Sequence, residues 1–233
     1  GVEWKAVNSR VDMGNNGSRA VVGGGYDNPV LYSDLEYFSI SSGGHAVSFG
    51  DMSSDGGGRN GGSMSSSTRG VFAIGYGPSP GSLGHNVIDY ITIASTGDAI
   101  DFGDATGGNG YTGNGCSSST RGVFNIGYDA PAPNYNNVMD YIEIATTGDS
   151  LDFGDQTDGS SVANRYLGSG ISNGTRGIIQ GGYTGSAYNN IIIYVPNIAS
   201  LSNTSDFGNL SSNRAGVSGC SDTTRGIFFG GYV

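Results

Sequence analysis

The chain has 233 residues, of which 44 are Gly, and its 20 acidic and 10 basic side chains give a formal net charge of −10. A surface this acidic repels phosphate backbones and anionic lipid, which argues against a nucleic-acid partner and against membrane insertion. The glycine excess lacks a Gly-X-Y period, which excludes collagen, and a hydrophobic content of 36% with evenly spaced aromatic residues argues against disorder.

One nine-residue segment, here called the arginine motif because its second residue is Arg, occurs five times along the chain. Its clearest copies read TRGVFAIGY and TRGVFNIGY, and the first copy, SRAVVGGGY, is the most divergent. The arginines are spaced by 50, 52, 55 and 49 residues, and a Tyr follows each of them by seven residues. Such a period predicts a repeat architecture. The five arginines are Arg19, Arg69, Arg121, Arg176 and Arg225.

Two further segments recur between successive arginine motifs. The first reads NVIDYITIA at 86–94 and NVMDYIEIA at 137–145, with looser copies at 33–41 and 190–199. The second is of the DFGD type, and its Phe follows the Tyr of the first by 12, 12, 12 and 13 residues. All these segments are short, rich in β-branched or aromatic residues and bounded by Gly, Asn, Ser or Asp, which is the pattern of β-strands.

Together the segments predict a repeat of four antiparallel strands, named a to d. Strand a is the small-residue stretch before each arginine motif, b is the arginine motif itself, c is the Tyr segment and d is the DFGD segment. Five copies of a and b and four clear copies of c and d fill the chain. We therefore expect residues 1–233 to form a single all-β domain, a five-bladed β-propeller with four-stranded antiparallel blades.

The closing blade is expected to be shared by the two ends of the chain. The opening VEWKAVNSR resembles a d strand, with Glu3 and Trp4 in place of Asp-Phe, while strands a and b of that blade come from the C-terminal end. No segment matches its strand c. Either the closing blade is short, or a preceding segment is missing, or a neighbouring chain fills the gap. A chain that opens at Gly1 without Met looks processed or excised from something longer.

The Gly-Gly that ends strand b and the aromatic residue in strand d resemble the kelch repeat, over essentially the whole chain. More narrowly, DYITIASTGDAIDFGD followed by CSSSTRGVF is similar to repeats of marine bacteriophage virion and tail-fibre proteins, notably of cyanophages. The resemblance implies a kelch-like propeller in a virion structural or adhesion module. Where kelch repeats usually carry Trp, this chain departs from the pattern with Phe49, Phe102, Phe153 and Phe207.

The five repeat arginines allow two interpretations. A ring of guanidinium groups could bind an anion or a glycan. Alternatively, each Arg could tie adjacent strands or blades together through bonds to a carboxylate or to backbone carbonyls. Because Asp residues lie near several copies and a function rarely needs five equal sites, we expect the arginines to be structural.

No cofactor or metal site is predicted. Asp98, Asp101 and Asp104 crowd into seven residues, but alternate strand residues face opposite sides, so the three cannot converge on a calcium ion. Turn capping and pairing with Arg explain these acids better. His45 and His85 stand alone, without a second ligand at metal spacing, and are expected on the surface.

No catalytic residue is predicted either. The chain lacks a G-x-S-x-G nucleophile elbow, and no carboxylate pair stands out among its acids, so we do not expect an enzyme. Cys116 and Cys220 occupy the same repeat position in non-adjacent copies, which is rarely within disulfide reach. Both are interpreted as small buried thiols.

The b–c and d–a loops should emerge on one face of the disc, and the length variation is concentrated in them. From the b Tyr to the c Tyr the spacing is 11, 14, 13 and 11 residues, and from the d Phe to the next Arg it is 20, 19, 23 and 18. Aromatic rings beside Asn donors suit recognition of a sugar or a protein, although ordinary turn residues would look the same. The candidate ligand-binding residues are Tyr111, Asn134, Tyr135, Asn136, Tyr166, Tyr188 and Asn189.

The combined expectation is a non-enzymatic phage tail-fibre or receptor-binding propeller, located in the virion or outside the cell. It would recognise a host cell-surface glycan or protein, with other virion proteins as further candidate partners. The first alternative is a secreted or cell-surface lectin-like propeller of a marine microbe. The second, less favoured, is a glycan-active enzyme on a propeller scaffold.

Overall fold

The computed structural model describes residues 19–27, 30–53, 61–73, 75, 85–107, 110–111, 114–129, 134–159 and 167–233, with the backbone alone at 26–27, 30–31, 110–111, 128–129 and 134–135. Over these ranges the chain is all-β and contains no helix, and hence no helix long and apolar enough to cross a membrane. The predicted d strand at 2–10 lies outside the described residues.

The described strands form five sheets that follow one another along the chain, and one small additional sheet. Sheet I contains β1 (Arg19–Asp27), β2 (Val30–Ser39) and β3 (Val47–Asp51). Sheet II contains β4 (Gly62–Ser65), β5 (Arg69–Ala73), β6 (Val87–Thr92) and β7 (Ile100–Asp104). The small sheet contains β8 (Gly110–Tyr111), β11 (Tyr128–Asp129) and β12 (Asn134–Tyr135). Sheet III contains β9 (Gly115–Ser117), β10 (Arg121–Asn125), β13 (Val138–Glu143) and β14 (Leu151–Asp155). Sheet IV contains β15 (Ser169–Ser172), β16 (Gly177–Gln180), β17 (Ile191–Val195) and β18 (Ser205–Asn209), and sheet V contains β19 (Ala215–Ser221) and β20 (Gly226–Tyr232).

Sheets II, III and IV are four-stranded and antiparallel, in the order a-b-c-d that the repeat predicts. Among the described residues, sheet I consists of strands b, c and d, and sheet V consists of strands a and b. The inner a strands β4, β9, β15 and β19 lie beside one another in that order. Consecutive sheets with adjoining inner strands give the molecule a propeller-like architecture.

Within a sheet, one Arg and two aromatic rings line up across strands b, c and d. In sheet III the guanidinium carbon of Arg121 lies 4.3 Å from the ring centroid of Tyr141, whose ring meets that of Phe153 at a centroid distance of 6.2 Å. The same ladder recurs in sheets I, II and IV. Cation–π and edge-to-face contacts each contribute about 0.5–1.5 kcal/mol, so the ladder explains the fixed spacing of Arg, Tyr and Phe in the repeat.

Each of sheets I to III packs one face on the next sheet in chain order; we call this the front face, and the opposite one the back face. The front of sheet II, with Val71 and Phe102, and the back of sheet III, with Phe124 and Ile142, share one buried apolar cluster. Equivalent clusters join sheet I to II and sheet III to IV. The hydrophobic core therefore lies between the sheets.

This packing requires the Gly that follows the repeat Arg. A Cβ atom at Gly122 would lie 2.6 Å from the Sδ atom of Met64 in strand a of sheet II, closer than any real contact. Cys116 occupies the same position against Gly177 of sheet IV. The a-strand side chain of one sheet thus fills the space that the glycine of the next sheet leaves open.

At the two ends of the array, the equivalent faces are open. The front of sheet V exposes Ile227 and Phe229, although the residues equivalent to Ile227 in sheets II and III are fully buried. The back of sheet I exposes Phe38 and Ile40, whose counterparts in sheets III and IV are buried. These four side chains occupy repeat positions that face a neighbouring sheet elsewhere in the molecule, but no described sheet packs on them.

The two cysteines differ in the same way. Cys116 is buried between sheets III and IV, and burial raises the pKa of its thiol to about 12. Cys220 is exposed on the front of sheet V. The prediction of two buried thiols is therefore right for Cys116 and wrong for Cys220, because burial at this position depends on the following sheet.

Candidate ligand-binding site

Two loops meet in the small sheet at one end of sheet III. Strand β8 belongs to the d–a loop that leads into sheet III, whereas β11 and β12 belong to the b–c loop of that sheet. The register pairs Tyr128 with Tyr111 on one side and with Tyr135 on the other. Three tyrosines, here called the tyrosine row, therefore stand directly opposite one another on three adjacent strands, at Cα spacings of about 5 Å.

The base of the b–c loop is fixed by backbone hydrogen bonds. Gly127 has φ +71°, a conformation that favours glycine, and it turns the chain out of β10 toward β11. The N–H of Asn136 donates to the carbonyl of Gly127 at 2.7 Å, and the N–H of Val138 donates to Oδ1 of Asn136 at 2.7 Å. Asn136 thus closes the loop, and its side-chain oxygen already accepts a hydrogen bond. Asn134 pairs with Asp129 in register.

Two buried carboxamides adjoin the tyrosine row in sequence and belong to the same end of sheet III. Asn114 comes three residues after Tyr111, and Asn125 comes three residues before Tyr128. The N–H of Asn125 donates to the carbonyl of Asn114 at 3.3 Å, so the two are cross-strand neighbours. Both are fully buried, and the side-chain oxygen and nitrogen of Asn114 lack hydrogen-bond partners within the described ranges.

Two buried glutamines belong to the same end of the sheets. Gln156 directly follows β14 and begins the next d–a loop, and Gln180 is the last residue of β16. Both are fully buried, and neither side-chain amide has a hydrogen-bond partner in the part of the chain that the structure describes. Leaving a buried amide unsatisfied costs on the order of 1–3 kcal/mol, so such groups point to bound water or ligand atoms that complete their hydrogen bonds.

The repeat contains the information that could have located these amides. Asn125 and Gln180 stand where the second copy of strand b has the buried Ala73, and Gln156 stands where the second copy of DFGD is followed by Ala105. A polar residue at a core position of one copy departs locally from the scaffold pattern, and such departures are expected at functional sites. A search restricted to exposed loop residues misses them.

A second aromatic cluster lies between sheets IV and V. The ring centroid of Tyr188, in the b–c loop of sheet IV, is 5.4 Å from that of Tyr183 and 5.4 Å from that of Tyr232. Tyr183 and Tyr232 are the tyrosines that end strand b in sheets IV and V. Tyr188 therefore contacts both sheets and is half-buried, so it contributes to packing as well as to the surface.

Asn189 has the same role as Asn136 in its own loop. The N–H of Ile191 donates to Oδ1 of Asn189 at 2.5 Å, and the N–H of Asn189 donates to the carbonyl of Gly182 at 3.0 Å. The turn-residue interpretation thus accounts for the side-chain oxygens of both asparagines.

The predicted ligand-binding residues fall into three groups. Tyr111, Asn134 and Tyr135 come together in the small sheet with Tyr128, which had not been predicted, and Asn136 closes that loop. Tyr188 and Asn189 belong to the second cluster. Tyr166 lies outside the described residues.

The repeat arginines stand at the opposite end of strand b from its tyrosine. Nη1 of Arg121 donates to the carbonyl of Ala199 in the c–d connection of sheet IV at 3.0 Å, and its Nε donates to Glu143 at 2.8 Å. Arg19 and Arg69 donate in the same way to backbone carbonyls of sheets II and III, at 2.9–3.2 Å. These three side chains each connect their own sheet to the next one.

The aspartates of the DFGD segments bind backbone groups. Oδ1 of Asp98 accepts the N–H of Asp51 in the preceding sheet at 3.0 Å, and Oδ1 of Asp101 accepts the N–H of Gly103 at 3.1 Å. The N–H of Asp104 donates in turn to an aspartate of the next sheet. Among the described residues, no group of three or more His, Cys, Asp or Glu side chains is placed to hold a metal ion.

One fully buried acid also belongs to an interface between sheets. Asp140 of strand β13 accepts the N–H of Thr106 at 2.8 Å and its hydroxyl at 2.7 Å, and it also accepts the hydroxyl of Ser150. Thr106 follows β7, so these bonds join sheet II to sheet III. His45 is exposed and His85 is half-buried.

Comparison with protein-family models and with curated protein sequences gave no match. Among solved structures, the chain is similar to one titled "Structure of YjhT", with a TM-score of 0.67 and 11% sequence identity. The alignment covers 97% of this chain and 76% of that chain, so about a quarter of that chain has no counterpart here. At this identity the similarity shows a shared fold and nothing about function.

Proposed function

We propose that the chain is a non-enzymatic binding module that recognises a glycan or protein on a host cell surface through the end of the sheets that carries the tyrosine row. The observation that carries the proposal is the register of Tyr111, Tyr128 and Tyr135 on three adjacent strands. The side-chain amides of Asn114, Gln156 and Gln180 at the same end support it, because the described residues leave their hydrogen bonds unused.

A saccharide suits this end of the molecule better than a protein does. Sugar rings present apolar C–H faces that pack on aromatic rings, and their hydroxyls both donate and accept hydrogen bonds, as carboxamides do. The net charge of −10 disfavours strongly acidic polymers, so the expected ligand is a neutral or cationic glycan.

The proposed setting is a phage tail fibre or another virion structural protein, and therefore the virion or the extracellular space. The similarity of DYITIASTGDAIDFGD and CSSSTRGVF to repeats of marine bacteriophage proteins supports it. A gene surrounded by virion assembly genes would agree with this setting. Neighbouring secretion or surface-polysaccharide genes would instead favour a lectin-like protein of a marine microbe.

The test is binding to host-envelope glycans on an array and to host cells, with variants at the two ends of the sheets. Tyr111→Ala and Tyr135→Ala should each weaken binding about tenfold, because each removes an aromatic face worth roughly 1 kcal/mol or more. Thr147→Ala lies in an exposed c–d turn at the other end and should leave binding unchanged.

Two results would overturn the proposal. If Thr147→Ala loses binding while both tyrosine variants keep it, the ligand binds the opposite end. If incubation with a bound glycan releases a shortened or modified sugar, the module is a glycan-active enzyme.

We also propose that the sheets form a kelch-type ring of five blades that closes when sheet V is complete, and in which β19 and β20 share the last blade with a d strand from residues 2–10. One support is that five sheets are built on the same repeat. The other is that the front of sheet V and the back of sheet I are both exposed, although elsewhere a front face packs on the back face of the next sheet. Closure would cover Cys220, so the reactivity of its thiol reports it.

A further inference from the structure

Sheet V ends at a strand edge that is paired in the other four sheets. In sheets I to IV, strand b pairs with strand c on its outer side, whereas β20 pairs with β19 alone among the described strands. The four c-type segments of the sequence are all in use, as β2, β6, β13 and β17. An unpaired b strand offers a row of backbone donors and acceptors to another strand.

The neighbouring sheet shows where the absent strand would lie. Phe102 and Phe153, in strand d of sheets II and III, are 3% and 2% exposed because they pack on residues from the c strand of the next sheet and the chain that follows it. Phe207 is the equivalent residue of sheet IV and is 54% exposed. Its open face lies where a c strand of sheet V would pack.

The repeat arginines give a second and independent indication. Arg176 stacks on Tyr194, just as each preceding repeat arginine stacks on the strand c Tyr of its own sheet. Within the described ranges, however, the Arg176 side chain donates no hydrogen bond to a carbonyl of the next sheet. That carbonyl belongs to the chain just after strand c in the earlier repeats. Arg225 of sheet V has no c-strand tyrosine beneath it, because the described sheet has no strand c.

We propose that the edge of β20 is a docking site for a β-strand of the c type carried by another polypeptide, which completes sheet V by strand addition. Continuity with the existing interfaces identifies this occupant, since one strand would pair with β20, cover Phe207, offer a ring to Arg225 and offer a carbonyl to Arg176. Strand addition through backbone hydrogen bonds is an established form of peptide recognition. The surface is distinct from the tyrosine row and does not depend on the proposed ligand.

The register of the docked strand follows from the other sheets. The c-strand Tyr stands opposite the second residue after the repeat Arg, as in the pairs Val71 with Tyr90 and Val123 with Tyr141. In sheet V that position is Ile227. The docking segment therefore carries a Tyr opposite Ile227, and an apolar residue directly after it that faces Phe207.

The probe is a capped, fluorophore-labelled peptide of residues 137–145, NVMDYIEIA, titrated into the 233-residue chain and followed by fluorescence anisotropy. We expect saturable binding, with the backbone amides of Gly226 and Phe228, which point away from β19, gaining hydrogen-exchange protection. A peptide with Tyr141→Ala should bind about tenfold more weakly, because it loses the stacking on Arg225 and part of the apolar contact. Arg225→Ala in the chain should weaken the unmodified peptide similarly, and should add little to the effect of the altered peptide.

Arg69→Ala is the matched control, since it removes the same side chain from a sheet whose strand c is present, and peptide affinity should not change. The proposal would be overturned if neither Tyr141→Ala in the peptide nor Arg225→Ala in the chain changed the affinity. It would also be overturned if a chain that circular dichroism shows to be folded did not bind the peptide at 1 mM. Self-association of the chain that blocks the peptide would also overturn it, because the occupant would then be a second copy.

Discussion

The interface between sheets II and III and the interface between sheets IV and V are built from equivalent repeat residues, but the residues of their outer strands lie in different environments. Phe102 of sheet II is buried against the c-strand region of sheet III, whereas the equivalent Phe207 of sheet IV is half exposed beside a two-stranded sheet. The inner parts are alike, since Met64 packs on Gly122 in one interface and Ile171 packs on Gly226 in the other.

The difference shows that one copy of the repeat encodes two half-interfaces rather than a self-sufficient sheet. The front of a sheet is completed only by the strand c of the following sheet, and the arginine of one sheet finds its carbonyl in the next. Stability in such an array is a sum of intrinsic and nearest-neighbour terms. Substitutions at equivalent positions should therefore differ in effect according to the neighbour.

The largest contrast is expected between Phe102→Ala and Phe207→Ala. Removing the buried ring of Phe102 leaves a cavity between sheets II and III and should lower the free energy of unfolding by about 3–5 kcal/mol. Phe207→Ala removes a ring that is already half in water and should cost less than about 1 kcal/mol. Urea unfolding of both variants measures the difference. Equal losses would mean that Phe207 is covered in solution.

Gly122→Ala should destabilise by about 1–3 kcal/mol, because the added Cβ would overlap the side chain of Met64. The companion variant Met64→Ala makes space at the same contact but leaves a cavity. In the double variant the two effects should partly cancel, so the double-mutant cycle should show a coupling of at least about 0.5 kcal/mol. Strict additivity would contradict the contact between the two sheets.

Substitutions of the repeat arginines should also differ in their effect on stability, according to whether the sheet that holds the Arg is complete. Arg121→Ala loses the stacking on Tyr141 and the bond to the carbonyl of Ala199, and should lower stability by about 1–3 kcal/mol. Arg225→Ala, in the incomplete sheet, should cost less than about 0.5 kcal/mol. Thermal unfolding compares the two. Unchanged melting of Arg121→Ala together with lost glycan binding would favour an anion-binding or glycan-binding ring of arginines.

Much of the fold could be predicted because the sequence repeats strands a and b five times and strands c and d four times. The spacing of Arg19 to Tyr37, or of Tyr90 to Phe102, reflects a ladder within one sheet, so strand order followed from the sequence. The register of Tyr111 with Tyr128 could not be predicted, because it depends on pairing between two loops of different repeats. The exposure of Cys220 could not be predicted either, since its sequence context matches that of Cys116 and only the neighbouring sheet differs.

The smallest perturbation is chemical labelling of the two thiols. The thiolate is the reactive form, and with its pKa raised to about 12 Cys116 has a thiolate fraction of only about one in ten thousand at pH 8, besides being buried. Cys220 is exposed, so one equivalent of maleimide should react with the native chain and two after unfolding. Cys220→Ser should abolish the native reaction, and Cys116→Ser should leave it unchanged.

Repeating the labelling with the NVMDYIEIA peptide present would extend the test to the proposed ring. Strand c pairs with the outer edge of β20, away from Cys220, so docking alone should not shield the thiol. Closure of the completed sheet V onto the back of sheet I would shield it, because a residue at this position packs on the next sheet, as Met64 does. A slower reaction of Cys220 with the peptide than without it is therefore the expected result for a ring that closes on completion. An unchanged rate at saturating peptide would show that the array stays open, and would argue against the five-bladed ring.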